Sequence, residues 1–121
     1  MPIFTSPVTL NNGADHVFQF RAQLPDKKAV VGEWVEPSAP LADESKIIIK
    51  HDASSATVRR RLMQRKVNRA TTTRGYRPIT VNLTVAYDVE HTSAQVDAEI
   101  LLIKDALAEA GFVVNFLNGL C

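Results

Sequence analysis

The sequence predicts an α+β domain in which an N-terminal β-hairpin and an antiparallel β-meander precede two C-terminal helices. Two observations predict it. Apolar and polar residues alternate with a period of two in segment after segment up to Val89, and beyond Thr92 the spacing becomes helical. There are no internal repeats, and no Pro/Gly/Ser-rich stretch reads as a linker, so residues 1–121 are expected to form one domain.

Each element has its own signal. IFTSPVTL (3–10) and HVFQFRAQL (16–24) flank NNGAD, whose Asn12-Gly13 pair supplies the positive-φ residues a hairpin turn needs. AVVGEWVEP (29–37) is a third strand that ends at Pro37, and SAPLADE (38–44) is a polar loop. SKIIIKHD (45–52), the small-residue turn ASSA (53–56) and a long basic strand from about Thr57 to Arg69 follow. TTTRGYRP (71–78) has the composition of a loop. In ITVNLTVAYDV (79–89), Ile79, Val81, Leu83 and Val85 fall on one face and Thr80, Asn82, Thr84 and Ala86 on the other.

Thr92 is an N-cap with Gln95 three residues on, which predicts a capping box. The helix that follows places Val96, Ile100, Ile103, Leu107 and Ala110 on one stripe, and Gly111 stands where a C-cap glycine belongs. FVVNFLNGL (112–120) reads as a short apolar second helix or a strand. Two short helices cannot cover both faces of a sheet of five or more strands. One face is left to water or to a partner.

Composition narrows the function classes. The chain is 121 residues long and 45% hydrophobic, enough for one core, and no apolar run is long enough to span a membrane. MPIFTSPVTL lacks the pattern of a signal peptide. The one cysteine, Cys121, cannot form an internal disulfide, which suits a reducing compartment. His16, His51 and His91 are far apart, without metal-ligand spacing. Asp88 and Glu90 beside His91 are better explained as a strand end leading into a capped helix than as acid–base groups. With no Gly-rich phosphate loop and no nucleophile elbow, neither an enzyme nor a cofactor is expected.

The net charge of +1 hides an asymmetry. Residues 46–77 hold ten Lys/Arg against one acid, Asp52, and VRRRLMQRKVNR (58–69) alone carries six cations. Such polarity suits a polyanion such as RNA. Alternation assigns Ile47 and Ile49 to the dry side of the sheet; in the basic strand neither parity is cleanly apolar, and Met63 and Val67 select the parity that joins them. Lys46, Lys50, Arg60, Gln64, Lys66, Thr80, Asn82 and Thr84 then share the open side as candidate RNA-binding residues. Long Arg stems at 59, 61 and 65 would cover apolar surface on the dry side. Only Tyr76 and Tyr87 lie nearby as aromatics, which disfavours a mode built on stacked bases.

These residues carry a resemblance. VGEW (31–34), KIIIKHDASSATVRRR (46–61), the Asn of ITVNLT (79–84) and the apolar FVVNFLNGL are together similar to the coat proteins of the small single-stranded RNA bacteriophages, the leviviruses. The likeness runs from about residue 29 onward and more loosely before it. It implies an obligate homodimer with two sheets joined edge to edge and the helices of each copy lying over the other's sheet. It further implies an icosahedral shell, assembled in the bacterial host cytoplasm and found as the virion, with single-stranded RNA against the inner sheet face. A genomic hairpin bound so as to repress translation is implied as well, and a maturation protein is a possible further partner; no membrane is implied. Carried over, the RNA-facing positions are Val31, Lys46, Ile48, Lys50, Arg60, Leu62, Gln64, Lys66, Thr80, Asn82 and Thr84. Ile48 and Leu62 stand where the family has small polar residues, and Ile79/Thr80 replaces a stacking tyrosine. Loop 70–78 is the one expected at the symmetry axes. The alternatives are a non-capsid RNA-binding module of ribosomal or regulatory type, which would stay small in solution, and a phage head or tail completion protein, which would lack the basic face.

Overall fold

The computed structural model describes residues 7–25, 29–52 and 55–120, with only the backbone path for 22–25 and 29–30. Residues 3–6 of the strand expected at 3–10, half of the turn at 53–56 and Cys121 lie outside the described residues. The chain divides into two compact units, residues 1–86 and 87–121.

The first unit is a meander. Strands β1 (Val8–Asn11), β2 (Asp15–Pro25), β3 (Ala29–Val35), β4 (Lys46–Asp52), β5 (Val58–Ala70) and β6 (Tyr76–Asp88) lie side by side in chain order, β6 running on into the second unit. The β1–β2 turn forms at the Asn-Gly pair, but of the two only Gly13 takes a positive φ; Asn12 does not. Gly13 takes φ 109°, and the Asn11 side chain accepts from the Gly13 amide at 2.9 Å. The polar loop after β3 contains one turn of 3₁₀ helix at Leu41–Asp43. One boundary differs from expectation: Tyr76, Arg77 and Pro78 belong to β6, so the loop is only 71–75. It closes through Thr71, whose amide and hydroxyl both donate to the Gly75 carbonyl at 2.8 Å. Pro78 lies within β6, the last strand of the sheet, and an edge strand is where a residue without an N–H is tolerated.

The core lies on one face only. Phe18, Trp34, Ile47 and Ile49 form its buried centre, with Val8, Leu10, Phe20 and Met63 packed around it. Phe20 meets Trp34 edge to face at 5.2 Å between ring centroids. Gly32 is required by this packing: a Cβ there would come within 2.8 Å of the Trp34 ring.

His51 follows Ile47 and Ile49 on the core face, opposite Arg61. Its Nδ1 is buried and has no hydrogen-bond partner among the described residues. Burial first, and the Arg61 charge second, hold its pKa below the ordinary 6.5. A histidine kept neutral in the fold contributes stability that is complete above the unfolded-state pKa and is lost as pH falls through the folded one. Thermal midpoints should therefore fall between pH 7.5 and 5, and more steeply in the native protein than in His51→Gln; equal slopes would refute this.

The second unit is helical. Helix α1 (Ser93–Ala108) begins with the predicted capping box. The Thr92 hydroxyl accepts from the Gln95 amide at 3.2 Å, and the Gln95 side chain accepts from the Thr92 amide at 2.9 Å. The helix ends at Glu109 rather than on the glycine. Gly111, at φ 77°, is the N-cap of α2 (Phe112–Leu117). That second helix closes in a Schellman motif, with Gly119 at φ 76° and the Leu120 amide donating to Asn115 O at 3.0 Å. Neither helix has a buried residue: Ile103, Leu107, Phe116 and Leu117 are all exposed.

Candidate nucleic-acid interface

Register decides which side chains share a face. Ile47 pairs with Arg65 and Ile49 with Met63, so these lie on the core side. The intervening pairs are Lys46 with Lys66, Ile48 with Gln64, Lys50 with Leu62, and Asp52 with Arg60, all on the opposite side. Directly opposed residues in an antiparallel pair project to the same face. Val31, Glu33 and Val35 of β3 join them opposite Lys50, Ile48 and Lys46. β6 enters through one hydrogen bond, from Gln64 Nε2 to Asn82 Oδ1 at 2.9 Å. Asn82 therefore belongs to this face, and alternation brings Thr80 and Thr84 with it.

The expected residues Lys46, Lys50, Arg60, Gln64, Lys66, Thr80, Asn82 and Thr84 thus lie on one open surface of the sheet, away from the tryptophan core. Ile48 and Leu62 give that surface an apolar middle. The amide–amide bond turns the Asn82 oxygen toward Gln64 and leaves the Asn82 NH₂ group as a donor.

Two features were not foreseen. The first concerns the basic strand. Arg59, Arg61 and Arg65 take the core-side parity of Met63 and Val67 as expected, and Arg69 shares it; what the sequence did not show is that Arg65 and Arg69 are committed to the fold. Arg65 lies 5.2 Å from the Phe18 ring centroid and donates to Ser45 Oγ at 2.7 Å. Ser45 in turn donates to Glu36 Oε1 at 2.8 Å, and Glu36 Oε2 meets His16 Nδ1 at 2.6 Å. This partly buried network ties four strand regions together. Arg69 pairs with Asp43 at 2.6 Å and so anchors the 3₁₀ turn. Much of the charge that marks residues 58–69 therefore serves packing.

The second is that the open face carries carboxylates. Asp52 lies opposite Arg60, and Glu33 sits between Arg21 at 3.6 Å and Lys46 at 3.7 Å. Glu33 was legible from its alternation with Gly32 and Trp34. Arg21 was not singled out, although alternation with core-facing Phe18 and Phe20 places it on the same face as Glu33.

Among the described residues no group of His, Cys, Asp and Glu could hold a metal ion, and no helix is long and apolar enough to cross a membrane.

No protein-family model matches the chain, and no curated protein matches it. Among solved structures, the virus-like particle of Beihai levi-like virus 21 matches with a TM-score of 0.75 over 94% of both chains, at 15% sequence identity. Six antiparallel strands in chain order followed by two short helices, the order of elements that suggested a levivirus coat protein, are thus the fold of a chain from a levi-like virus particle.

Proposed function

We propose that the chain is a viral coat protein, a single functional domain of 121 residues that dimerises, assembles into an icosahedral shell and packages single-stranded RNA against its open sheet face. The observation that carries this reading is the full-length likeness to the virus-like particle, joined to a register that gathers Lys46, Lys50, Arg60 and Lys66 opposite the core. Lysine and arginine neutralise phosphates, while Gln64, Thr80, Asn82 and Thr84 supply hydrogen bonds to bases, sugars or phosphates.

Self-assembly also accounts for apolar surface that the single chain leaves uncovered. Ile79, Val81 and Leu83 on β6 are 51%, 60% and 41% exposed, and most apolar residues of the two helices are exposed as well. Monomeric proteins rarely tolerate this. A second copy joined at the free edge of β6, with helices exchanged over the partner's sheet, covers both surfaces and removes an aggregation-prone edge. Repression of translation through an RNA hairpin, a maturation protein as further partner, assembly in the host cytoplasm and residence in the virion follow from the same reading.

Electron microscopy and size-exclusion chromatography of the expressed protein test the shell: particles of megadalton scale are expected. A species at or below dimer size in the presence of RNA would favour the small RNA-binding module instead. For the RNA face, replacing Lys50, Arg60 and Lys66 together by Ala should lower the 260/280 nm absorbance ratio of purified particles and flatten the salt dependence of RNA binding. Unchanged RNA content would mean that the other sheet face meets the genome.

A further inference from the structure

We infer that Arg21 is a further phosphate-binding residue of the open sheet face, held there with Lys46 by the half-buried carboxylate of Glu33. The inference rests on the reading of that face as RNA-binding and adds a residue that neither charge clustering nor the family resemblance assigns.

The backbone provides the first argument. In the β2–β3 ladder Phe20 pairs with Trp34, but the next paired residue is Ala22, opposite Glu33. Alternation from the core-facing Phe18 and Phe20 puts Arg21 on the open face, and the register shift between Phe20 and Ala22 leaves it as the unpaired residue of β2 beside Glu33. Its guanidinium is brought to Glu33, a side chain of the open face, rather than to the aromatic core of Phe18 and Trp34.

The second argument is the division of exposure within the trio. The Glu33 side chain is only 14% exposed, whereas that of Arg21 is 63% exposed. Glu33 meets Arg21 Nε through one oxygen and Lys46 Nζ through the other. One sunken carboxylate therefore holds two cationic heads apart and above itself. An approaching phosphate meets the cations first, and the trio keeps a net positive charge. Contact through Nε leaves the terminal guanidinium nitrogens for a phosphate, the group that a planar guanidinium grips with two parallel bonds. With Arg21 largely exposed and its Nε 3.6 Å from the carboxylate, the Arg21 side of this pair adds little to stability, so packing gives weak reason to keep it.

The test is a salt titration of full-length protein binding an unstructured 20-nucleotide single-stranded RNA. It compares the native protein, Arg21→Ala, Arg21→Lys and, as a reference for the open face, Lys50→Ala. Losing one phosphate contact reduces the slope of log K against log salt by about 0.7 and affinity at 0.1 M salt by about fivefold. Arg21→Ala should show both losses with an unchanged thermal midpoint, and Arg21→Lys should recover the slope by restoring the charge. A native slope in Arg21→Ala beside a reduced one in Lys50→Ala would overturn the inference and leave the RNA-binding face standing. Equal losses in Arg21→Ala and Arg21→Lys would also overturn it, since charge would then not be the operative property. Salt-independent binding, or none, in the native protein would remove the RNA-binding face itself.

Discussion

Val81→Asp should abolish particle formation while leaving the single chain folded. Val81 is at the middle of the apolar face of β6 and is 60% exposed in the isolated chain, so a carboxylate there costs the monomer little. In the proposed assembly the same position is covered by a second copy. Burying a valine contributes about 1.5 kcal/mol or more, and enclosing an unpaired carboxylate reverses the sign at a cost of several kcal/mol. Two-fold symmetry applies the change twice in every dimer. Light scattering and electron microscopy should show a species no larger than a dimer, with far-UV circular dichroism matching the native protein. Phe116→Asp tests the helical unit in the same way, since Phe116 is also exposed in the single chain and stacks on Phe112 at 6.2 Å. Native-sized particles from both variants would show that neither surface is an interface.

Trp34→Ala should produce the largest loss of stability available to a single substitution in the sheet, about 3–5 kcal/mol. Trp34 is 2% exposed, stands at the centre of the core cluster and packs against Phe20. Its removal leaves a void that strands fixed by ladder hydrogen bonds cannot close. The converse experiment adds volume at the same place. Gly32→Ala drives a methyl group to 2.8 Å from the buried Trp34 ring, so the ring or the backbone must shift. Overpacking of this kind costs about 1–3 kcal/mol. Chemical denaturation of the two variants checks the order of the effects. A Gly32→Ala protein as stable as the native one would mean that the tryptophan has room to move.

Strand parity was the most readable property of the chain. Ile47 and Ile49 of IIIKHD are buried as alternation requires, and Met63 packs beside them. The choice of Met63 and Val67 for the dry side rested on two apolar residues in a strand with no clean pattern, and the β4–β5 register supports it. The capping box at Thr92 and Gln95 was equally legible, because capping is a local interaction over three residues. The Tyr76–Pro78 boundary was misread for the opposite reason. Its residues have loop composition, and only the place of β6 at the edge of the sheet lets Pro78 lie in a strand. Gly111 was misplaced by one element, since a left-handed residue can serve the end of one helix or the start of the next.

The sequence by itself determined the order of the elements, the face each strand residue takes and the excess of positive charge in the middle of the chain. These depend on local periodicity and on counting. Only the tertiary structure decided which charges are available. Arg65 and Arg69 are spent on Ser45, Phe18 and Asp43, from other strands or the loop between them, while Lys50 and Lys66 remain on the open face. The same holds for Glu33, whose two cations come from separate neighbouring strands. A charge is free or bound according to what pairing across strands puts beside it, and that register is set by contacts remote along the chain.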